Sequence, residues 1–207
     1  MTSRLQSSPD LLVALARNLL KGFSIPVSHT IDFTETESNQ FPKAFAPSVH
    51  LYFPGAYRVC LSDVNTKLGE KTCQDFRSQY GPQSVVFVAC DVTSLEAVET
   101  LYAQAVAFFQ TESIDLWVNN AGVMGEKEGW EKCLDINLSG VLNGLHVASA
   151  KAEVAQPLTV INVASILGLF NAKQPKGWAY NTSKSAVVTA TRCMGPSWPY
   201  VRIVSLF

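Results

Sequence analysis

The sequence predicts an α/β fold built on a doubly wound parallel sheet of the Rossmann type. From about residue 57 onward, strand-like and helix-like segments alternate at the spacing of βαβ units over about 150 residues. The strand-like segments are nearly continuous apolar runs, which is the pattern of strands buried on both faces. At 207 residues, with 47% hydrophobic and 16% charged, the chain suits one globular domain with a large core.

The predicted elements follow one another in the order β-α-β-α-β-α-β-α-β. Strands are expected at residues 58–62, 85–89, 114–118, 158–163 and 201–207, and helices at residues 65–80, 93–109, 130–150 and 179–192. The first helix carries Leu68, Cys73 and Phe76 at a spacing that turns them to one face. Thr93 and Glu96 have the spacing of a capping box, which predicts where the second helix begins.

Residues 1–54 do not join this alternation. Prolines and the polar run at residues 34–40 break any long element, and only residues 49–53 look strand-like. We therefore divide the chain into an atypical segment, residues 1–54, and a Rossmann-type domain, residues 55–207.

Charge and cysteine usage exclude several classes of function. The formal net charge is -1 and the basic residues are scattered, which argues against a nucleic-acid partner and a polybasic membrane patch. No apolar stretch reaches the roughly 18 to 20 residues of a membrane span. Residues 11–20 are apolar but contain Arg17 and Asn18, so a signal peptide is not expected. The five cysteines form no Cys-x-x-Cys pair, so neither a zinc site nor a disulfide framework is expected. A cytoplasmic protein that acts on a small molecule is the expectation.

Tyr180 and Lys184 lie four residues apart on a predicted helix, so their side chains face the same way. A lysine charge held close to a tyrosine favours the phenolate, which makes the phenol useful for proton transfer near neutral pH. An isolated pair at this spacing means little, and its surroundings give it weight. The strand at residues 158–163 leads to Ser165, which could bring a hydroxyl to the same site.

Four motifs occur together in a fixed order. They are Asn119-Asn120-Ala121-Gly122 after a buried strand, then Asn137 on a helix, then Ser165, then Tyr180-Asn181-Thr182-Ser183-Lys184. This set resembles the short-chain dehydrogenase/reductase family. The resemblance implies hydride transfer, in which Tyr180 takes the hydroxyl proton and Ser165 positions the same oxygen. It also implies that Lys184 assists the tyrosine and holds the nicotinamide ribose, and that Asn137 kinks its helix and holds a water that passes the proton to solvent.

The resemblance further implies NAD as the cofactor. Asp63 ends the first predicted strand, where an acid accepts the ribose hydroxyls and repels a 2′-phosphate, although Asp63 could instead cap the following helix. Asp91 is placed to meet the adenine ring or simply to form a turn, and Asn119 and Gly122 line the cofactor cleft or form a plain turn. The full set implied for the cofactor is Asp63, Val64, Cys90, Asp91, Val92, Asn119, Ala121, Gly122, Tyr180 and Lys184.

The stretch at residues 125–138 is most similar to NAD-dependent family members that oxidise a secondary alcohol on a lipid carboxylate. This similarity implies that the substrate is a lipid alcohol. The implied substrate-binding residues are Ser165, Gln174 and Tyr180, with Gly168, Leu169 and Phe170 as an apolar wall. The predicted helices at residues 93–109 and 130–150 correspond to those through which the family associates, which implies a homodimer. Their apolar faces could equally be core.

Against the family pattern, the predicted fold is incomplete at both ends. No Gly-x-x-x-Gly-x-Gly run exists to form the phosphate-binding turn after a first strand, and the family continues beyond the strand at residues 201–207. Residues 49–53 could insert as a replacement strand without restoring the glycines. We therefore expect NAD to bind far more weakly than is usual in the family. A catalytically silent fragment or splice product, acting at most as a partner subunit, is the alternative.

Overall fold

The computed structural model describes residues 12–16, 58–125, 129–153, 156–170, 177–195, 198 and 201–206. The strands are β1 (Leu12–Ala16), β2 (Val59–Asp63), β3 (Val85–Ala89), β4 (Ile114–Asn119), β5 (Leu158–Val163) and β6 (Val201–Leu206). The α-helices are α1 (Thr66–Tyr80), α2 (Leu95–Phe109), α3 (Trp130–Leu134), α4 (Gly140–Lys151) and α5 (Trp178–Met194). A π-helical segment, Asp135–Ser139, joins α3 to α4, and a 3-10 turn, Ile166–Gly168, follows β5.

The six strands form one sheet in the order β3-β2-β1-β4-β5-β6. The pairs β2–β3, β4–β5 and β5–β6 are parallel, and helices connect the strands within these pairs. This arrangement confirms the predicted α/β class and the doubly wound sheet. The carboxyl ends of these parallel strands define one edge of the sheet, which is called the carboxyl edge below.

The centre of the sheet corrects one expectation. Residues 12–16, where no strand was predicted, lie between β2 and β4 and run antiparallel to both. The run Leu-Val-Ala-Leu-Ala has little intrinsic preference for a strand. Its conformation comes from pairing, because an extended segment in this gap satisfies the backbone groups of both neighbours. Residues 49–53, the predicted replacement strand, lie outside the described residues.

Side-chain caps set where the helices begin. Asn65 caps α1 by accepting a hydrogen bond from the Leu68 amide at 3.1 Å, so the alternative that Asp63 is the cap is wrong. Ser94 caps α2 by accepting from the Ala97 amide at 3.2 Å. The predicted capping box is therefore wrong by one residue, because the Thr93 hydroxyl donates to Asp91 instead.

The main core lies on the face of the sheet that α2, α4 and α5 cover. Trp117 of β4 is fully buried there against Leu101 of α2 and Leu145 of α4. On the opposite face, α1 packs Cys73 against Leu61 and residues of β3. Because helices cover both faces, the strands are apolar on both sides and hold the carboxyl edge in a fixed position.

Candidate active site

Tyr180 and Lys184 lie one turn apart on α5, beside the carboxyl end of β5. Lys184 is 3% exposed, and its Nζ donates a hydrogen bond to the carbonyl oxygen of Val163 at 2.8 Å. The same Nζ lies 5.7 Å from the centre of the Tyr180 ring. A buried ammonium this close stabilises negative charge on the phenol more strongly than an exposed one would.

Ser165 follows β5 in an extended conformation, with φ of -165°, and its Oγ accepts a hydrogen bond from the Leu167 amide at 3.2 Å. The 3-10 turn that follows Ser165 packs closely against α5. A Cβ added at Gly168 would lie 2.7 Å from the carbonyl carbon of Lys184, and Ser185 Oγ donates to the Gly168 oxygen at 2.8 Å. Gly168 therefore sets how closely the turn after Ser165 approaches the helix that carries Tyr180 and Lys184.

Asn137 is fully buried at the middle of the π-helical segment. Its Oδ1 accepts from the Val123 amide at 2.7 Å, and its Nδ2 donates to the Val123 oxygen at 2.9 Å and to Ser183 Oγ at 3.0 Å. Ser183 Oγ in turn donates to the main-chain oxygen of Tyr180 at 2.7 Å. Ser183 was missed in the sequence, where only its place inside the Tyr-x-x-x-Lys motif could have indicated it.

The Asn119 side chain is used within the fold. It accepts from Trp117 Nε1 at 2.7 Å and donates to Asn162 Oδ1 at 2.8 Å, and Asn162 donates to Thr191 Oγ1 at 2.9 Å. This buried network fixes β4 to β5 and α5. Whatever Asn119 offers to a ligand therefore comes from its main chain. Asn162 and Thr191 were also missed, although an asparagine inside an apolar strand is a recognisable signal.

The main chain after Asn119 leaves room above Lys184. A Cβ added at Gly122 would lie 3.4 Å from both Lys184 Nζ and Asn137 Oδ1, at ordinary contact distance. The absence of a side chain there keeps this space open toward the ammonium group. Beside it lies a small cleft with a volume of about 10 Å³ that opens to solvent, lined by Val92, Asn119, Ala121, Ile136, Gly140 and Val141.

Asp63 ends β2 at the same edge of the sheet. Its Oδ1 accepts from the Asn65 amide at 2.6 Å, whereas Oδ2 is buried and has no hydrogen-bond partner among the described residues. Burial raises the pKa of this carboxyl, and hydrogen bonds from the Asn65 and Val64 amides oppose the rise. An incompletely satisfied carboxylate is retained at a cost in stability, which is typical of a ligand-binding group. Val64 beside it is exposed.

The end of β3 lies next to Asp63, because the Cys90 amide donates to the Asp63 carbonyl at 3.2 Å. Burial raises the pKa of the Cys90 thiol to about 11. Asp91 is exposed and accepts from the Thr93 amide and hydroxyl at 3.0 and 2.7 Å, so it forms the turn that was weighed as its alternative role. Val92 lines the small cleft. Gln174 lies outside the described residues.

Large apolar side chains are exposed on the segments beside this edge. Trp130 at the start of α3 and Trp178 at the start of α5 are 49% and 56% exposed, and their ring centres lie 6.1 Å apart. The other exposed apolar residues of these segments are Met124, Ile166, Leu169 and Phe170. Single apolar residues scattered over a protein surface are normal. Six large apolar side chains on adjacent segments exceed that normal scatter.

These residues fit the two ends of a nicotinamide dinucleotide. Asp63 Oδ2, which has no hydrogen-bond partner among the described residues, suits the adenosine ribose hydroxyls, and the space between Gly122 and Lys184 suits the nicotinamide ribose. The described residues do not offer a glycine-rich turn that leads from the central strand into a helix, where the phosphates bind in this class of sheet. In the part of the chain that the structure describes, no three His, Cys, Asp or Glu side chains are grouped to hold a metal ion.

None of the described helices combines the length and apolar content needed to cross a bilayer.

Comparison with known proteins identifies the family. Residues 48–205 match the family described as short chain dehydrogenase. The NAD(+)-dependent 15-hydroxyprostaglandin dehydrogenase of Mus musculus is 35% identical over 154 residues, which are 72% of this chain and 54% of that protein. The chain thus spans about half the length of the curated relatives it matches. The likeness to this type of enzyme that residues 125–138 predict is confirmed.

Solved structures agree in fold. A short chain dehydrogenase/reductase from Burkholderia phymatum in complex with NAD gives a TM-score of 0.62 at 26% identity, covering 70% of this chain and 54% of that one. NAD+-bound xylitol dehydrogenase gives 0.63 at 29% identity, with 70% and 58% covered. From the family match, the shared fold and the four motifs at one edge of the sheet, we conclude that the chain belongs to the short-chain dehydrogenase family.

Proposed function

We propose that the chain is an NAD-dependent oxidoreductase that oxidises a secondary alcohol to a ketone. We further propose that its substrate is the 15-hydroxyl of prostaglandins or of related hydroxylated fatty acids. The observation that carries the proposal is the buried Lys184 ammonium, held by Val163 one helical turn from Tyr180. The identity to the prostaglandin dehydrogenase of mouse and the NAD in the related solved structures support it.

In the proposed reaction, Tyr180 acts as a phenolate and accepts the proton of the substrate hydroxyl. Ser165 donates a hydrogen bond to the same oxygen, and Lys184 stabilises the phenolate before the proton arrives. NAD, when bound, supplies the acceptor for the hydride that leaves the carbinol carbon. The alcohol thereby loses one proton and one hydride and becomes a ketone. The proton then passes from Tyr180 toward solvent past Lys184.

Asn137 is a positioning residue in this proposal. Its side-chain amide is engaged by Val123 and Ser183, so a relay water would be held by the main chain of the π-helical segment. Such segments widen the helix and recur at functional sites.

The proposed cofactor contacts follow the carboxyl edge of the sheet. Asp63 accepts the adenosine ribose hydroxyls, Asp91 approaches the adenine, and Lys184 and Tyr180 contact the nicotinamide ribose. Neighbouring main chain and small side chains complete the proposed set, namely Val64, Cys90, Val92, Asn119, Ala121 and Gly122.

An apolar substrate is favoured by the exposed side chains near Ser165. Leu169 and Phe170 are 43% and 64% exposed, directly after the turn that Ser165 opens. Binding a hydrocarbon chain there would remove them from water. Gln174 is proposed as a polar substrate contact. We also propose a cytoplasmic homodimer, for which exposed Phe108 on α2 and Leu142 on α4 offer apolar surface.

The test is NADH formation by the purified chain with NAD and a prostaglandin that carries the 15-hydroxyl. Tyr180→Phe should lower kcat by about 10²-fold or more, because it removes the proton acceptor. Tyr80→Phe, at an exposed tyrosine on α1, is the matched control and should leave kcat unchanged. Equal loss in both variants, or NADH formation that persists in Tyr180→Phe, would refute the assigned role.

The alternative is a catalytically silent fragment or partner subunit of such an enzyme. The antiparallel direction of β1 favours it, since the strand that normally leads to the phosphate turn is reversed here. A chain that folds by circular dichroism but binds no NAD would support this alternative.

A further inference from the structure

The direction of β1 determines which edge of the sheet its connections reach. Leu12 pairs with Ser62 near the carboxyl end of β2, and Leu15 pairs with Val59 at the opposite end. Against β4, Val13 pairs with Val118 and Ala16 with Ile114. The chain therefore enters β1 at the carboxyl edge and leaves it at the opposite edge of the sheet, where the parallel strands begin.

A phosphate-binding turn requires the opposite direction. In doubly wound sheets the central strand ends at the carboxyl edge, and the next helix begins there with main-chain N–H groups turned to the phosphates. Here the chain leaves β1 at Ala16, at the end of the strand that lies away from the carboxyl edge. A five-residue strand with a rise of about 3.4 Å per residue puts this point roughly 14 Å from that edge. Residues 1–11, which precede β1 in the sequence, contain no glycine.

We propose that this chain recognises nicotinamide dinucleotides by their adenosine end, and that the pyrophosphate adds almost nothing to affinity. The inference rests on the proposed function, because it concerns the cofactor of that same site. It departs from the family arrangement, in which the turn after the central strand holds the phosphates.

Among the residues that the structure describes, the anchor for the adenosine end is the Asp63 carboxylate. Its Oδ2 has no partner among the described residues, and the vicinal hydroxyls of a ribose supply the donors that it lacks. Each charge-assisted hydrogen bond to a phosphate oxygen would add about tenfold or more in affinity. A site without such bonds should bind adenosine about as tightly as it binds ADP-ribose.

The first experiment tests the direction of β1. Leu12→Cys with Ser62→Cys joins Cα partners of the antiparallel register and should form a disulfide on mild oxidation of the full chain. Leu12→Cys with Val59→Cys is the matched control, which only a parallel strand would bring together. Peptide mapping by mass spectrometry identifies the linked pair. A disulfide in the control pair, with none in the first, overturns the inference.

The second experiment compares adenosine, ADP-ribose and NAD by calorimetry on the full chain, with Asp63→Asn as the site variant. Dissociation constants of adenosine and ADP-ribose that agree within about threefold, both weakened in Asp63→Asn, support the inference. ADP-ribose binding tenfold or more tightly than adenosine overturns it but leaves the proposed function standing. If a folded chain binds none of the three, the proposed function fails and the inference fails with it.

Discussion

Asn137 and Ser183 share a buried hydrogen bond of 3.0 Å that joins the π-helical segment to α5. Through Val123, the same asparagine also holds the loop that follows β4. Three separate segments of the chain therefore meet at one amide, beside the helix that carries Tyr180 and Lys184.

Replacing Ser183 by Ala should disturb this junction. The change leaves Asn137 with its Val123 bonds but removes one buried acceptor, at a cost of about 1 kcal/mol in the free energy of unfolding. We expect a lower Tm in thermal denaturation and a lower kcat with KM nearly unchanged. The control is Ser78→Ala, which removes an exposed hydroxyl on α1 that makes one hydrogen bond to the main chain. A Ser183→Ala variant as stable as Ser78→Ala would contradict the role of this junction.

Gly122→Ala should fold normally yet impair the site. The added Cβ would rest 3.4 Å from Lys184 Nζ and Asn137 Oδ1, so the protein accommodates it. It would, however, fill the space through which a ligand approaches the ammonium. We expect an unchanged Tm with NAD binding weakened by about tenfold, measured by calorimetry. Undiminished NAD binding would show that the space serves no ligand.

Gly168→Ala should lower stability. A Cβ at this position would lie 2.7 Å from the carbonyl carbon of Lys184, and neither main-chain segment can yield easily. Overpacking of this kind costs about 1 to 3 kcal/mol, which urea denaturation would detect. Gly195→Ala, where a Cβ meets nothing within 4 Å, is the matched control and should be neutral. Equal stability of the two variants would rule out close packing between the turn Ile166–Gly168 and α5.

Asp63→Asn should stabilise the ligand-free chain at neutral pH. Burial raises the pKa of the Asp63 carboxyl in the folded chain above its ordinary value of 3.8. Asp63 therefore favours folding below pH 3.8, and that contribution is lost as the pH rises through the folded pKa. The variant should therefore have the higher Tm at neutral pH, and its advantage should vanish in acid below 3.8. The exposed Asp75→Asn variant controls for the change in net charge. A Tm difference that is independent of pH would mean that the Asp63 charge is not responsible.

Cysteine alkylation should separate the exposed from the buried thiols. Burial raises the pKa of Cys60 to about 12 and of Cys90 to about 11, so neither presents thiolate to a reagent at neutral pH. Cys193 is exposed on α5. Iodoacetamide should therefore modify Cys193 in the native chain, and Cys60 and Cys90 only after unfolding, as read by mass spectrometry. Rapid native labelling of Cys60 would contradict the packing of β2.

Local sequence signals predicted most of the elements. The strand Val85–Ala89 was predicted to the residue, and the long helix from Trp130 was predicted with a kink at Asn137 but not with a π-helical interruption. At that interruption Asn137 accepts a hydrogen bond from the Val123 amide of another segment, a contact that no local pattern contains. The cap of α2 was misassigned because Thr93 and Ser94 are both good caps, and only the bond from Thr93 to Asp91 decides between them.

By itself, the sequence determined the alternation of strands and helices after residue 57 and the proximity of Tyr180 to Lys184. Both follow from periodicities of two and about 3.6 residues, which act within a few residues along the chain. Only the tertiary structure decided that Leu12–Ala16 lies reversed at the centre of the sheet and that the Asn119 side chain is used in the core. Both features depend on hydrogen bonds between residues up to about a hundred positions apart. Such pairs form because the assembled fold would otherwise leave these backbone and side-chain groups unsatisfied.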